Sequence, residues 1–191
     1  MNQDINFTKI NNYPDQVKNV RIGVISDTHI AEGGRQLPPV ILDAFKQVDL
    51  IVHAGDIVSL GVIEELKSAC PEVVVVSGNM DPEAIRKKYP VKQILEILGY
   101  RIGLMHGAGP AIGLVDLLKA AFAQDDCDLV IFGHSHKVMN ERVGRILFFN
   151  PGSATDISAA YNSYGIIELA LLPEGGHSDR QGGISAKIIK I

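Results

Sequence analysis

Seven residues carry the chemistry legible in this chain: Asp27, His29, Asp56, Asn79, His106, His134 and His136. They stand in five short polar signatures, SDTH (26–29), HAGD (53–56), SGNMD (77–81), MHG (105–107) and GHSH (133–136), each closing an apolar run. Carboxylate and carboxamide oxygens mixed with imidazole nitrogens are ligands for divalent cations. A donor set without thiolate suits Mn, Fe, Zn or Ni better than Ca. The inventory is large enough for two ions. One such residue at one strand end would read as a turn, a cap or a hydrogen-bonded structural histidine. Ligand-type residues at nearly every end point instead to a metal centre.

Spacing adds geometry. Asp27 and His29 are two apart, as are His134 and His136, so on extended backbone each pair would project to one side. Asp56, after Gly55, has two oxygens with which to bridge two cations, and Asn79, after Gly78, offers a neutral carbonyl oxygen. Gly133 permits a close backbone turn into the site. His53 lies one pleat inside its strand and reads as a core or supporting residue rather than a ligand.

The runs before the signatures (VRIGVIS, DLIVHAG, VVVVSG, RIGLMHG, DLVIFG) are rich in Val and Ile and read as buried strands. Ligands bind at the carboxyl ends of strands in open α/β sheets, so five such ends can converge on one crevice. Between the strands, helices are expected at Val40–Val48, at Leu60–Ala69, from Pro82 onward with Asp81 as its cap, and at Gly113–Gln124. These βαβ units predict parallel pairing of the first three strands. Gly99-Tyr100 joins two apolar runs as a hairpin, and from Lys137 the pattern is strand and turn. Two packed sheets with helices outside are expected.

The chain has 191 residues, 46% hydrophobic and 21% charged, which fits one domain with a substantial core. Residues 1–19 read as a polar, Asn-rich extension and residues 20–191 as the folded domain. A net charge of -4 without a Lys/Arg stripe argues against long nucleic acid as a partner. Arg86, Lys87 and Lys88 read as a solvated helix face, and His177 as a loop residue. No run reaches membrane-spanning length, and the N-terminus has no apolar signal-peptide region, so a cytoplasmic location is expected. Cys70 and Cys127 are far from any CxxC spacing and read as two buried thiols.

In this order and on these strands, the signatures D-x-H, G-D, G-N, H and G-H-x-H resemble the calcineurin-like metallophosphoesterase superfamily. NPGSA at 150–154 resembles its small bacterial and archaeal phosphodiesterase branch, which includes the eukaryotic retromer scaffold subunit. The resemblance implies a four-layer α/β/β/α sandwich of two mixed sheets flanked by helices. It implies two divalent metals, manganese foremost, with Fe, Zn or Ni as alternatives. One would be held by Asp27, His29, Asp56 and His136, the other by Asp56, Asn79, His106 and His134. Asp56, Asn79 and His106 would also be catalytic. The implied reaction is hydrolysis of a small phosphodiester by a hydroxide bridging the metals. The partner is then a small phosphorylated substrate, with a homo-oligomer left open.

Two departures bear on this. Larger members have His after the Gly-Asn pair, where it helps protonate the leaving group; here Met80 stands there, and a thioether donates no proton. Asp81 is a candidate acid as well as a cap. Relatives often read H-G-H where this chain has His106-Gly107-Ala108. A phosphomonoesterase or pyrophosphatase would use the same centre. A non-catalytic scaffold is the third reading, but that branch departs at the bridging Asp and the Asn, and both Asp56 and Asn79 are present.

Overall fold

A computed structural model describes residues 6–9, 19–171 and 180–191; His177 lies outside them. Eleven strands are described, in two mixed sheets. The five-stranded sheet has the order β11 (Ile184–Lys190), β10 (Ser163–Ala170), β2 (Asn19–Ile25), β3 (Leu50–His53), β4 (Val73–Val75). The six-stranded sheet has the order β1 (Asn6–Lys9), β5 (Lys92–Ile97), β6 (Tyr100–Met105), β7 (Leu129–Ile131), β9 (Ile146–Asn150), β8 (Met139–Val143).

As the βαβ pattern predicts, β2, β3 and β4 pair in parallel, while β10 joins β2 antiparallel. The expected hairpin is β5–β6, turned at Leu98-Gly99 with both residues at positive φ, the geometry of a tight hairpin turn. β7 pairs in parallel with both β6 and β9, and β10 and β11 from late in the chain extend the sheet of β2–β4, so neither half of the chain owns a sheet.

Strand alternation builds the layers. Val20, Ile22, Val24, Leu50 and Val52 face Leu95, Ile102, Leu104, Ile131 and Phe149 in a core between the sheets. The opposite pleats, Ile25, Ile51 and Val75, pack under α1 (Pro39–Phe45), α2 (Leu60–Ala69) and α3 (Glu83–Lys88). On the far side, α4 (Leu114–Ala121) covers Ile94, Val130 and Phe148. A one-residue slip of any central strand would swap these two cores. The result is the expected four-layer α/β/β/α sandwich.

Two local expectations change and a third stands. Asp81 does not cap α3: Pro82 holds the cap position without a side-chain bond, and the Asp81 carboxylate turns inward. Within residues 1–19, Asn6–Lys9 adds a strand in parallel to β5. Lys87 pairs with Glu83 at 2.7 Å on a face that Arg86 and Lys88 also expose, an ordinary solvated surface. No helix among the described residues is long and apolar enough to cross a membrane.

Candidate metal centre

All seven ligand-type residues lie in one crevice, each in a loop leaving the carboxyl end of a strand. Asp27 and His29 follow β2, Asp56 follows β3 and Asn79 follows β4; His106 follows β6, and His134 and His136 follow β7. The crevice therefore spans the ends of both sheets.

The backbone there is not extended. Asp27, His29, Asp56, His134 and His136 all have positive φ, between 44° and 71°. The two D-x-H and H-x-H pairs are consequently aimed by left-handed turns rather than by strand pleat. Such conformations cost about 1–3 kcal/mol each outside glycine and persist only where surrounding bonds impose them. Here Asp27 N–H donates to Gly55 O at 3.1 Å and His29 N–H to Asp56 O at 3.1 Å.

Two glycines let the loops meet. A Cβ on Gly133 would overlap the Ser26 hydroxyl, and one on Gly78 would overlap the Asp56 carboxylate.

Asp27 Oδ1 lies 3.3 Å from His136 Nε2, 3.8 Å from His29 Nε2 and 3.8 Å from His106 Nε2. Asp56 Oδ2 lies 3.2 Å from His106 Nε2 and 3.7 Å from His29 Nε2. Two groups with metal-ligating spacing result, Asp27–His29–His136 and Asp27–Asp56–His106. Both carboxylates, not Asp56 alone, sit between the histidine groups. The His134 ring lies edge-on to His106 at 5.3 Å, with Nδ1 2.9 Å from Asn79 Oδ1 and Nε2–H donating to Gly109 O at 2.6 Å.

A cation fits this donor set. His106 Nδ1–H donates to Ala54 O at 2.7 Å, which turns the Nε2 lone pair toward the carboxylates. That Nε2 is buried and has no hydrogen-bond partner. In the same way, His136 Nδ1–H donates to Asp156 Oδ2 at 2.6 Å, leaving Nε2 facing Asp27 and, at 3.2 Å, His29 Nε2. Imidazoles oriented by a second hydrogen bond toward shared carboxylates are the usual arrangement around a metal.

The charges agree. Burial pushes the Asp27 and Asp56 carboxyls up, but contacts to His136 and His29 for Asp27, and to His106 for Asp56, hold both below their ordinary range. His106 is raised because Asp56 and Asp27 outweigh its burial. His136 is raised to about 9, chiefly by Asp27 against burial, with Asp156 adding to it.

His53 is no ligand. Its Nδ1 accepts from Gly55 N–H at 3.2 Å and its Nε2 meets the Thr28 hydroxyl at 3.1 Å. Complete burial pushes its pKa down to about 3, so the ring is a neutral brace. Met80 exposes its side chain, while its N–H donates to Asp56 Oδ1 at 2.7 Å. Cys70 and Cys127 are buried free thiols.

Sequence reasoning marked NPGSA at 150–154 as a branch signature but assigned no role to the strap that follows β9 or to its continuation through Thr155 and Asp156. Asn150 donates to Gly133 O at 2.7 Å, and Ser153 Oγ donates to Asp27 O at 2.7 Å. Thr155 Oγ donates to Thr28 O, and Asp156 orients His136. A polar, buried NPGSATD run closing an apolar strand was the available signal.

The model of the calcineurin-like phosphoesterase superfamily domain matches residues 20–170. The chain belongs to that superfamily. A probable metallophosphoesterase of Methanothermobacter thermautotrophicus is 37% identical over 134 residues, 70% of this chain and 77% of its own. A phosphodiesterase of Methanocaldococcus jannaschii is 28% identical over 164 residues, 78% of this chain and 93% of its own. Vps29 from Entamoeba histolytica, crystallised with zinc, superposes with a TM-score of 0.66 at 26% identity, covering 89% of this chain and 98% of that one.

Proposed function

We propose that the chain is a metal-dependent phosphodiesterase acting on a small diester. The observation that carries this reading is the buried His106 Nε2, without a hydrogen-bond partner and facing Asp56 and Asp27, in a crevice that gathers seven ligand-type side chains. One ion would be held by Asp27, His29, Asp56 and His136, the other by Asp56, Asn79, His106 and His134, with manganese the first candidate. When bound, the ions would supply Lewis-acid polarisation of the phosphoryl oxygens and a water that is deprotonated near neutral pH.

The chain's own residues do the rest. Asp156 and Ala54 O hold His136 and His106 in one tautomer, and the strap keeps both loops in register. Proton delivery to the departing oxygen has no residue assigned to it. Met80 has no acidic proton, and both Asp81 oxygens accept backbone N–H bonds from Ile57, Val58 and Gly78. Activated aryl esters should therefore react much faster than alkyl esters.

The test is metal-stripped protein reloaded with single metals and assayed on paired mono- and diesters of graded leaving-group pKa. Manganese-dependent turnover with diester preferred is expected. Monoester preference would favour a phosphomonoesterase. Tight metal binding without turnover of either ester would overturn the enzyme reading in favour of a scaffold; the zinc-bound Vps29 relative is why metal binding alone does not decide.

A further inference from the structure

Two clefts open beside His136, and His136 and Asp156 form a wall common to both. The first, about 490 Å³, is lined also by His29, Arg35, Thr155 and Ile157. The second, about 390 Å³, reaches along Lys137, Val138 and Ser158 to Tyr161. Each joins a cation to an apolar or aromatic side chain, Arg35 with Ile157 and Lys137 with Tyr161.

These groups are presented rather than spent. Arg35 is exposed, donates to Thr155 O and forms no ion pair among the described residues, which leaves guanidinium N–H groups for a ligand oxygen. Ile157 is 89% exposed, one of the three most exposed large hydrophobics with Ile112 and Met80, all on loops that carry or touch the metal-centre residues. Its turn is fixed by Asp156 N–H to Ser153 Oγ at 2.9 Å and Ser158 N–H to Asp156 Oδ1 at 2.8 Å. Tyr161 is braced by the Lys190 ammonium, 4.0 Å from its ring centroid. A further cleft, lined in part by Arg21 and Glu168, has those two charges 3.8 Å apart and no group of the metal centre.

We infer that the two clefts are paired subsites for the two ester arms of a phosphodiester, with the phosphoryl group at the His136 wall and Arg35 on its anionic oxygen. An aromatic arm lies against Tyr161, and an apolar arm against Ile157. This rests on the phosphoesterase reading and adds the substrate's shape. A diester is a monoanion with two substituents, so it fills both clefts; a monoester has one substituent and leaves one cleft empty.

The experiment uses the full, metal-loaded chain and the variants Tyr161→Ala, Tyr161→Phe, Arg35→Ala and Arg35→Lys, each checked for a native circular-dichroism melt. Two readouts are taken: the ratio of kcat/KM for bis(4-nitrophenyl) phosphate over 4-nitrophenyl phosphate, and calorimetric binding of dibenzyl phosphate, a poorly reactive diester with two aromatic arms. Tyr161→Ala should lower the ratio and weaken dibenzyl phosphate by about 10-fold, the scale of one lost aromatic contact, and Tyr161→Phe should restore both. Arg35→Ala should weaken dibenzyl phosphate to a similar degree, with partial recovery in Arg35→Lys. An unchanged ratio with unchanged binding would overturn the subsites while leaving a working phosphoesterase in place. Binding with the expected dependences but no turnover of either ester would sink the enzyme reading and keep the subsites. If wild type neither binds nor turns over any of these esters, both fall.

Discussion

Asp156 is the residue with the largest role that its neighbours in sequence do not advertise. It touches no other ligand-type side chain than His136, yet its hydrogen bond selects which His136 nitrogen faces Asp27. Burial and contact have opposite effects there: desolvation lowers the His136 pKa, while Asp27 first and Asp156 next raise it to about 9. The Asp156 carboxyl is lowered to about 2 by the same bond and by Ser158. Removing it with Asp156→Ala should reduce metal affinity about 10- to 100-fold, the usual effect of deleting a ligand's supporting partner. In metal-free protein the same variant should move the His136 titration, followed by NMR, downward from about 9. Asp156→Asn keeps an acceptor for Nδ1–H and should recover part of the affinity. An unmoved His136 titration would assign Asp156 a merely structural role.

At the scale of elements, the loops after β3 and β4 depend on one buried carboxylate. Asp81 is 2% exposed and accepts from Ile57, Val58 and Gly78 N–H, each at 2.7 Å. Val58 is a β-branched residue at φ 72°, an unfavourable conformation that its bond to Asp81 helps to impose. Asp81→Ala would leave three donors without an acceptor and should cost about 3 kcal/mol or more. For a chain of this size that lowers the Tm by roughly 6–12 °C, measurable by calorimetry. Asp81→Asn should fall between, and an unshifted Tm would show that water replaces the carboxylate without loss. Sequence pattern alone reached much of this architecture but not its aim. Apolar runs ending in polar signatures revealed the strands and all seven ligand-type residues, because burial and period are local properties. The left-handed turns at Asp27, His29, Asp56, His134 and His136 were not legible, since distant groups impose them: Gly55 O at Asp27, Asp56 O at His29. For the same reason Asp81 read as a cap, and Asn6–Lys9 went unread because four polar-leaning residues become a strand only beside β5.

On the scale of the whole molecule, the crevice is the polar end of the seam between two sheets. His134 N–H reaches Asp27 Oδ2 at 3.1 Å and His106 reaches Ala54 O at 2.7 Å, each bond crossing from the six-stranded sheet to loops of the five-stranded one. Ions held by Asp27, Asp56, His106 and His136 would tie the same seam, so metal binding should stabilise the entire fold and not one loop. At 100 times the dissociation constant the gain is about 2.7 kcal/mol, or roughly 5–10 °C in Tm. Its pH dependence follows from His136. In metal-free protein the folded pKa of about 9 exceeds the ordinary 6.5, so the charged ring adds stability below about pH 6.5, and that contribution is lost as pH rises through 9. Metal binding works the other way, because the cation must displace the proton from His136 and from His106, whose pKa is also raised. The metal-free Tm should therefore decline from about pH 6.5 to about pH 9, while the increment on adding zinc or manganese at fixed concentration grows over the same interval. Paired melts with and without metal measure both slopes. An increment that is flat with pH would mean that the bound ion does not compete with the protons on these two histidines, and the ligand assignment would fail with it.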